Sequence, residues 1–422
     1  MTRARVALVV PVFPARSETF IVSKAAGLIA DGWDVHVICQ RWDARLFVQL
    51  PAPARELLRG RIHAGWLHRP KWLAALLAPA AITRCFLRRP VGTVRYLARG
   101  GTLRKLYLDA ELLLAAPEIV HFEFGALAVG RMYLRGALKA PIVVSFRGYD
   151  LNVVGLEDRQ YYGDVWVQAT AVHLLGEDLW KRAQKRGCPP QLLHVLIPPA
   201  IDADFFTPGD REECAIVGTE ARPLRILSVG RLDWRKGYEY ALEAVRALID
   251  RGIVCEYHIV GDGEFHTATA YARYQLGLTK AVTLLGALPP AEVRDEMRWA
   301  DVMLHAAVSE GFCNVVLEGQ AMRLSVVCTN AGGLSENVVD GETGLIVTPR
   351  EPTALANAME RLAGDPKLRA RLGTAGRERV LERFRLADQV AAFRLLYERV
   401  LKARAVDGFG AERLSLENDA AR

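Results

Sequence analysis

Two carboxylates, Glu310 and Glu318, enclose the short stretch GFCNVVL. An apolar run at 302–306 precedes them with the pattern of a buried strand, and a helical pattern follows. We therefore expect Glu310 in a strand-to-helix loop and Glu318 one turn into the helix, so that both border one site. Such a pair could bind the hydroxyl groups of a sugar, or act as acid and nucleophile at a glycosidic bond, and the spacing alone leaves both open.

The residues between the carboxylates are suited to binding a ligand through the backbone. Gly311 permits a tight turn, and Asn314 is the predicted N-cap of the helix. The backbone N–H groups of Phe312, Cys313 and Asn314 would then face the site, as unpaired donors at the start of a helix do. A polyhydroxylated ligand fits this arrangement.

A second stretch, SVGRLDWRKG at 228–237, places two cations on one predicted strand-to-helix loop. The strand ends at Gly230, Arg231 follows it, and Lys236 stands at the start of a helix. Arginine offers a planar fork of donors and lysine a compact charge, so the two together can hold a diphosphate. Taken alone, the stretch is explained as well by two exposed loop bases.

A third stretch, HIVGDGE at 258–264, contains Gly261 and Gly263. Glycine lets the backbone approach a flat ligand closely, and on this ground we expect Gly261 beside the ligand. A plain turn also accounts for the two glycines, because the rest of the dinucleotide-binding fingerprint is missing.

Alternating strand and helix patterns surround these stretches and predict an α/β protein with two doubly wound parallel sheets. The predicted strands of the first half are 6–13, 34–40, 118–124, 141–146, 171–176 and 193–199. Those of the second half are 224–230, 255–261, 282–286, 302–306 and 326–330. A polar linker is predicted at 207–223 and an amphipathic helix at 386–402. Ligands bind outside the carboxyl ends of parallel strands, so the three stretches should meet there.

The composition is that of a folded protein with two domains: 422 residues, 51% of them hydrophobic and 24% charged. The seven cysteines form no C-x-x-C or Cys/His pattern, so we expect buried free thiols and neither disulfides nor a zinc site. The first residues lack the layout of a signal peptide, and the apolar run at 72–83 is shorter than the roughly 20 residues of a membrane span. A cytoplasmic location is therefore expected.

Positive charge is concentrated between Pro51 and Lys105, where twelve Lys and Arg side chains accompany a single carboxylate, Glu56. The segment also contains aromatic residues such as Trp66 and Trp72. This combination favours peripheral contact with the anionic inner face of the cytoplasmic membrane. A solvated face of one or two helices would explain the same concentration of charge equally well. Nucleic acid binding is disfavoured, because no nucleic-acid fold motif accompanies the bases.

Four motifs follow one another in the second half: GRLDWRKG, VGDGE, EGFCNVVLEGQA and NAGGLSENVVDGETGLIV. This series resembles the retaining glycosyltransferases of family 4, whose E-x7-E motif corresponds to Glu310 and Glu318. The resemblance implies a GT-B fold, in which two Rossmann-like domains face a central cleft. The implied parts are an acceptor-binding domain at 1–206, a linker at 207–223, a donor domain at 224–385, a helix crossing back at 386–404 and a flexible tail at 405–422.

The resemblance also implies roles for the residues of the second half. Arg231 and Lys236 would bind the diphosphate of a nucleotide sugar, Glu310 would contact the transferred sugar, and Glu318 would bind the ribose. Arg231, Lys236 and Glu310 would then stabilise the transition state without a protein nucleophile. The implied donor-binding residues are Gly230, Arg231, Lys236, Gly261, Gly311, Phe312, Cys313, Asn314 and Glu318.

No cofactor and no essential metal are expected. Asp202 and Asp204 have the spacing of a metal-binding D-x-D motif, but their place before the linker matches the interdomain connection of GT-B relatives. Arg231 and Lys236 can neutralise the diphosphate instead.

The first half resembles polysaccharide-assembling members of the family less closely. PVFPARSETFI at 11–21 corresponds to a loop and helix that face the acceptor in such members. Ser17, Glu18 and Thr19 are therefore candidate acceptor contacts. Capping of the helix by Ser17 or Thr19 is an equally weighted alternative.

Two further positions depart from the family pattern. Arg147, in VSFRGYDL, and Glu123, in VHFEFG, stand where relatives often have histidines. A cation at Arg147 could still reach a phosphate or an anionic acceptor. Asp150 is a candidate partner for a hydroxyl group or for Arg147, with turn capping as the alternative. His121 is a candidate pocket residue.

Two other histidines, His173 and His305, are expected to be strand-end residues with local hydrogen bonds.

The sequence thus predicts a hexosyltransferase-type enzyme acting in polysaccharide or envelope-glycan assembly. It would move a sugar from a nucleoside-diphosphate sugar to a hydroxyl group of a lipid-linked saccharide. A soluble small-molecule acceptor and a GT-B-fold sugar-nucleotide epimerase are the alternatives. A non-catalytic carbohydrate-binding relative is disfavoured, because Lys236 and Glu310 are both present.

Overall fold

The computed structural model of the protein describes residues 3–15, 18–65, 71–209 and 215–407. The chain forms two compact units. Unit 1 consists of Met1–Pro198 together with Leu386–Arg422, and unit 2 consists of Pro199–Arg385. Each unit is an α/β structure around one parallel sheet, which confirms the fold class predicted from the sequence.

Unit 1 contains a seven-stranded parallel sheet flanked by helices. Its strands are β1 (Arg5–Phe13), β2 (Asp34–Trp42), β3 (Ile62–Ala64), β4 (Ile119–Phe122), β5 (Ile142–Phe146), β6 (Ala171–Leu174) and β7 (His194–Leu196). Its first ten helices are α1 (Thr19–Ala30), α2 (Ala44–Val48), α3 (Ala52–Leu58), α4 (Lys71–Arg88), α5 (Pro90–Ala98), α6 (Leu103–Ala115), α7 (Leu134–Leu138), α8 (Gly148–Asn152), α9 (Gly163–Gln168) and α10 (Glu177–Lys185). The strand order is β3-β2-β1-β4-β5-β6-β7.

Unit 2 contains a six-stranded parallel sheet. Its strands are β8 (Leu224–Val229), β9 (Cys255–Val260), β10 (Val282–Gly286), β11 (Val302–His305), β12 (Ser325–Thr329) and β13 (Leu345–Val347). Its helices are α11 (Tyr238–Asp250), α12 (His266–Gln275), α13 (Pro290–Trp299), α14 (Asn314–Ala321), α15 (Leu334–Asn337), α16 (Pro352–Gly364) and α17 (Pro366–Arg383). The strand order is β10-β9-β8-β11-β12-β13.

The central strands are continuous apolar runs because helices cover both faces of each sheet. In β5 and β12 every residue is buried, including those that alternate to opposite faces. Two short strands, β3 and β13, escaped prediction. Each has three residues and lies at an edge of its sheet.

The strand order reverses at the first strand of each sheet. β1 lies between β2 and β4, and β8 lies between β9 and β11. At such a reversal the neighbouring connections leave in opposite directions and open a crevice at the carboxyl ends of the strands, where ligands bind in sheets of this type. The candidate residues of both units follow these strands.

A last helix, α18 (Leu386–Asp407), packs against unit 1. Phe393, Leu396, Tyr397 and Val400 recur at helical spacing and are buried in the core that also contains residues of α1 and β1. This apolar face explains why the helix packs with the first sheet although it follows unit 2 in sequence.

Residues 199–206, which we predicted in the first domain, cluster with unit 2 instead. Ile201 and Phe206 are buried in its core, and the Ile201 N–H donates to the Phe384 carbonyl at 2.8 Å. Within the predicted linker, residues 210–214 lie outside the described part of the chain. Val217, beyond them, is buried in the unit 2 core.

The six cysteines in the described part of the chain are buried free thiols, as predicted, and Cys214 lies outside it. Among the described residues, no helix combines the length and the apolar character that crossing a membrane requires.

Candidate functional site

The loop after β8 brings Lys236 to the carboxyl edge of the unit 2 sheet. A short 3-10 turn, Trp234–Lys236, begins after Asp233, whose side chain accepts from the Arg235 N–H at 2.9 Å. Gly237 ends the turn with φ at +61°, and a Cβ there would lie 2.2 Å from the Ala306 carbonyl oxygen. Only glycine fits this contact, which holds the turn against the end of β11.

The glycines of the third stretch hold two loops together. A Cβ on Gly261 would lie 1.9 Å from the Gly230 oxygen, and one on Gly263 would lie 2.3 Å from the Leu232 oxygen. These glycines therefore permit the loops after β8 and β9 to pack backbone to backbone. Arg231 is exposed at the start of the first loop.

Lys236 and Glu310, 74 positions apart, meet at the centre of this edge. Lys236 Nζ lies 2.5 Å from Glu310 Oε2, and their side chains are 18% and 15% exposed. His305 Nε2, at the end of β11, lies 3.3 Å from the same oxygen and 3.4 Å from Cys313 Sγ. The structure thus brings together two of the predicted site residues, which lie on stretches that we expected to meet at this edge. His305 ends its strand as predicted, but it also contacts Glu310 in the site, and no sequence pattern indicates that contact.

The charges of this cluster reinforce one another. Burial by itself would raise the pKa of Glu310, but the charge of Lys236 and the hydrogen bond from His305 outweigh it and lower the pKa to about 2. Glu310 likewise outweighs burial and raises the pKa of Lys236. For His305, the adjacent Cys313 and Glu310 outweigh burial and raise the pKa to about 9. Glu310 is therefore ionised at neutral pH and unsuited to act as a general acid.

Helix α14 begins one residue earlier than predicted. Asn314 is its first residue and Cys313 occupies the N-cap position, without a side-chain capping bond, so the predicted capping by Asn314 is wrong. The Cys313 N–H donates to Asn337 Oδ1 at 3.1 Å, and Asn337 Nδ2 donates to the Cys313 oxygen at 3.1 Å. This N–H is therefore occupied by a residue that sequence analysis missed.

The fourth motif supports the loop that carries Glu310. A Cβ on Gly333 would lie 2.0 Å from the Gly311 oxygen, so glycine is required where the two loops touch. Phe312 is partly buried, with its ring 6.1 Å from that of Phe384. The loop is thus fixed on one side by backbone contact and on the other by an aromatic contact.

Glu318 lies in the second turn of α14, on the same loop-helix segment as Glu310. Burial raises the pKa of its carboxyl group to about 7. The two carboxylates of the motif therefore differ, because one is ionised by its cationic partners and the other titrates near neutral pH.

A second charged cluster lies at the carboxyl edge of the unit 1 sheet. Lys24 Nζ, from α1, lies 2.5 Å from Glu123 Oε1, just beyond β4. Arg147, just beyond β5, donates through Nη2 to Glu123 Oε2 at 2.9 Å and through Nε to the Glu123 carbonyl at 3.1 Å. Lys24 and Glu123 are buried, whereas the Arg147 side chain remains 13% exposed.

His121 belongs to a buried polar chain under this cluster. Its Nδ1 lies 2.7 Å from Tyr397 Oη, and its Nε2 lies 2.7 Å from Ser145 Oγ, which in turn lies 2.7 Å from His173 Nδ1. Burial and the charge of Lys24 lower the pKa values of both histidines well below their usual range. His121 is thus neutral and enclosed in the core.

The other unit 1 candidates are placed differently. The Asp150 carboxylate accepts from the backbone N–H groups of Ala126 and Arg147, both at 3.0 Å, so it caps the turn after β5. Glu18 stands at the N-cap position of α1, and Thr19 is its exposed first residue. Ser17 lies outside the described residues.

Three potential metal ligands occur together in unit 2. Ligand atoms of His305, Glu310 and Cys313 lie within 4.8 Å of one another, and donor sets of this kind hold zinc. Lys236 Nζ, however, lies 2.5 Å from the Glu310 oxygen, where its charge opposes a metal cation. A metal ion at this cluster would therefore compete with Lys236 for the Glu310 carboxylate.

The fold and this site define a class of enzyme. Residues 210–379 match the family model described as Glycosyl transferases group 1. Together with the two Rossmann-like units, this match identifies the chain as a glycosyltransferase with the GT-B fold, which confirms the predicted fold and enzyme class.

Relatives of known name support the same class. The chain is 27% identical over 395 residues to WcaL of Escherichia coli K12, named as a candidate colanic acid biosynthesis glycosyltransferase, covering 84% of this chain and 89% of that protein. It is 31% identical over 194 residues to the D-inositol 3-phosphate glycosyltransferase of Corynebacterium diphtheriae, covering 44% and 45%.

Two solved structures share the fold over nearly the whole chain. Sucrose-phosphate synthase of Thermosynechococcus elongatus has a TM-score of 0.71 at 20% identity, covering 95% of this chain and all of that one. Anabaena HepE in complex with UDP-glucose has a TM-score of 0.69 at 15% identity, covering 94% of this chain and all of that one.

Proposed function

We propose that the protein is a retaining glycosyltransferase of family 4 that uses a nucleoside-diphosphate sugar as donor. The observation that carries this proposal is the Lys236–Glu310 pair at the carboxyl edge of the unit 2 sheet, with Nζ and Oε2 2.5 Å apart. A cation and an anion at this distance match the charges that develop when a sugar–phosphate bond breaks. The UDP-glucose bound to HepE supports the same class of donor.

The donor would occupy the motif residues in a defined order. Its diphosphate would bind Lys236 and the exposed Arg231, its sugar would lie against Glu310, and its ribose would hydrogen bond to Glu318. Negative charge grows on the leaving diphosphate and positive charge on the sugar, so these residues stabilise the transition state more strongly than the ground state. Glu310, which is ionised at neutral pH, serves as an electrostatic partner of the sugar.

Retention follows from a front-face reaction. The bond between the sugar C1 and the diphosphate oxygen breaks, and the acceptor oxygen bonds to C1 from the same side. The acceptor proton passes to the leaving diphosphate oxygen, so the step balances without a protein nucleophile. Lys236 and Arg231 supply the positive charge, and we propose that no metal ion or cofactor is required.

The acceptor is proposed to be a lipid-linked saccharide in the assembly of an envelope polysaccharide. WcaL, a relative that matches this chain over most of its length, is named for colanic acid biosynthesis, which supports a polysaccharide pathway. Glu18, Thr19 and Arg147 of unit 1 are the candidate acceptor contacts. A soluble small-molecule acceptor and sugar-nucleotide epimerisation are the competing functions.

A surface of unit 1 supports a location at the cytoplasmic face of the membrane. Leu87, Val91 and Val94, at the junction of α4 and α5, are 78%, 70% and 60% exposed. Arg88 and Arg89 between them are exposed as well. Apolar side chains that insert and arginines that attract phosphate head groups together favour an anionic lipid surface as the partner.

The membrane contact is tested by sedimenting the protein with vesicles. We expect binding to vesicles containing phosphatidylglycerol and little binding to pure phosphatidylcholine. A Val91→Glu, Val94→Glu double variant should lose most of the binding. Leu156→Glu, which changes an equally exposed apolar residue beside Glu157, should bind normally. Equal binding by all three proteins would contradict the proposal.

The enzymatic proposal is tested by incubating the purified full chain with single sugar nucleotides. We expect release of nucleoside diphosphate that increases on addition of bacterial lipid extract, with labelled sugar recovered in the lipid fraction. Conversion of the sugar nucleotide without any acceptor would indicate an epimerase. Stimulation only by the water-soluble fraction would indicate a soluble acceptor.

A further inference from the structure

The charged cluster of unit 1 contains more positive than negative charge. Lys24 and Arg147 both form ion pairs with one carboxylate, Glu123. Asp150 lies nearby, but its carboxylate accepts from backbone N–H groups and forms no ion pair with Arg147 in the described structure. The two positive charges of Lys24 and Arg147 are therefore neutralised only in part, because their ion pairs share the single carboxylate of Glu123.

Only one member of this cluster, Arg147, is exposed enough to contact a ligand. The side chains of Lys24 and Glu123 are 3% and 0% exposed, whereas that of Arg147 is 13% exposed. Arg147 uses Nε and one Nη2 donor on Glu123. An arginine has five N–H donors, so the described contacts leave Nη1 available for a ligand.

The orientation of Arg147 is fixed on several sides. Its guanidinium carbon lies 4.1 Å from the centre of the Phe20 ring and 5.4 Å from that of Phe124. Glu123 holds one edge of the guanidinium plane through two hydrogen bonds. A fork held in this way loses little freedom on binding, and its geometry matches the oxygens of a phosphate group.

We propose that Arg147 is the surface end of an anion-binding site in unit 1 that takes a phosphate group of the acceptor. Lys24 supplies the excess charge from the core, and Glu123 holds the guanidinium in place. The proposal rests on the glycosyltransferase function proposed above. The phosphate could belong to the diphosphate of a lipid-linked saccharide or to a soluble phosphorylated acceptor, and the two sources share the same chemistry at Arg147.

Calorimetric titration of the full chain with inorganic pyrophosphate tests the site. We expect two binding sites in the wild type, one at Arg147 and one at Lys236. Arg147→Gln should lose the first, and Lys236→Gln should lose the second. Retention of both sites in Arg147→Gln overturns this inference alone, whereas retention of both in Lys236→Gln overturns the proposed donor site.

A matched control separates anion binding from general damage to unit 1. Arg131 resembles Arg147 because it pairs with a buried carboxylate, Asp109, and lies 5.1 Å from the Phe122 ring. Asp109, however, forms an ion pair with one cation only among the described residues. Arg131→Gln should therefore keep both pyrophosphate sites.

Two further variants test the charge argument. Lys24→Met should weaken the Arg147 site about tenfold although Lys24 does not touch the ligand, because the remaining Arg147–Glu123 pair is neutral. Arg147→Lys keeps the charge but not the fork, and we expect it to fold normally and bind about tenfold more weakly. Unchanged affinity in Lys24→Met, with folding verified by circular dichroism, would overturn the role of the excess charge.

Two probes distinguish the sources of the phosphate. In the Lys236→Gln background, farnesyl diphosphate should bind more tightly than glycerol 3-phosphate if the acceptor is a lipid-linked diphosphate. The reverse order indicates a soluble phosphate ester. The double variant Lys236→Gln, Arg147→Gln should bind neither probe. Binding of either probe at unchanged affinity would overturn the proposed site.

Discussion

Each unit pairs a lysine with a glutamate at the carboxyl edge of its parallel sheet, but the two pairs differ in access. Lys24 and Glu123 are buried in unit 1, and Arg147 contacts the same carboxylate. Lys236 and Glu310 in unit 2 remain partly exposed. A substrate cannot reach the buried pair directly. In the partly exposed pair, by contrast, either side chain can contact a ligand.

The two lysines also respond to their surroundings in opposite directions. Burial lowers the pKa of Lys24 to about 8, with Arg147 adding to the effect and Glu123 opposing it. For Lys236, Glu310 outweighs burial and raises the pKa. The charged form of Lys24 is therefore less stable in the folded protein than in water. The charged form of Lys236 is more stable than in water, so it is available to bind phosphate.

The largest effect should come from breaking the buried pair. Glu123→Gln leaves two cations near each other without their carboxylate, and we expect it to lower the free energy of unfolding by about 3–5 kcal/mol. Glu310→Gln should cost less than Glu123→Gln, because the side chains of Lys236 and Glu310 are 18% and 15% exposed and water can solvate the lysine that loses its partner. Urea denaturation of both variants measures the difference. Equal losses would contradict the distinction between the pairs.

The partly exposed pair, Lys236 and Glu310, should instead determine catalytic activity. Lys236→Ala removes positive charge from the leaving diphosphate, and we expect turnover to fall by about 10²–10³ in a variant whose folding is verified by circular dichroism. Lys280→Ala, which changes an exposed lysine of the same unit, is the control and should retain wild-type turnover. Full activity of Lys236→Ala in donor hydrolysis would remove the basis of the assignment.

The lowered pKa of Lys24 predicts a pH dependence of stability. The unfolded chain, with a lysine pKa near 10.5, binds this proton between about pH 8 and 10.5, whereas the folded chain does not. The contribution of Lys24 to the free energy of unfolding should therefore rise with pH over that range, by about 1–3 kcal/mol. The free energy of unfolding of wild type minus that of Lys24→Met, measured by denaturation at pH 7.5 and pH 10, should therefore be larger at pH 10. A constant difference would refute the shift.

Glu318 should make the affinity of unit 2 for the donor depend on pH. Its pKa is about 7, so protonation below neutral pH removes the carboxylate that would accept hydrogen bonds from the ribose. We expect the dissociation constant of the nucleoside diphosphate to rise about tenfold between pH 8 and pH 6. Glu318→Gln should bind weakly at both values. A variant with the same pH profile as the wild type would assign the titration to another group.

The smallest effect is expected from metal removal. Lys236 already places a positive charge beside Glu310, so dialysis against EDTA should leave transfer activity unchanged. Activity lost on dialysis and restored by zinc would show that His305, Glu310 and Cys313 hold a functional metal ion. Loss of activity restored by magnesium would place a metal on the diphosphate instead.

The sequence was sufficient to predict the parts of the site that lie on one segment. The loop around Glu310 and the turn carrying Lys236 have local patterns of glycine, charge and apolar residues, and both were predicted together with the fold. The pairing of Lys24 with Glu123 was not predicted, because the two residues are 99 positions apart and only the adjacency of β1 and β4 brings them together.

Other contacts were missed for the same physical reason. Asn337 reaches Cys313 across two loops, and no local pattern distinguishes it from an ordinary helix-end asparagine. His305 ends a buried strand, where its contacts depend on the loop that follows. Arg147 was identified only as a departure from a family pattern, and its stacking on Phe20 became visible in the fold.

The central claim is that the two lysine–glutamate pairs differ in function, with the donor binding at Lys236. Calorimetric titration of UDP and GDP into wild type, Lys236→Ala and Lys24→Met tests this most directly. The account predicts that Lys236→Ala weakens binding of the preferred nucleotide at least tenfold, while Lys24→Met stays within about twofold of wild type. Comparable binding by wild type and Lys236→Ala, or a larger loss in Lys24→Met, would contradict it.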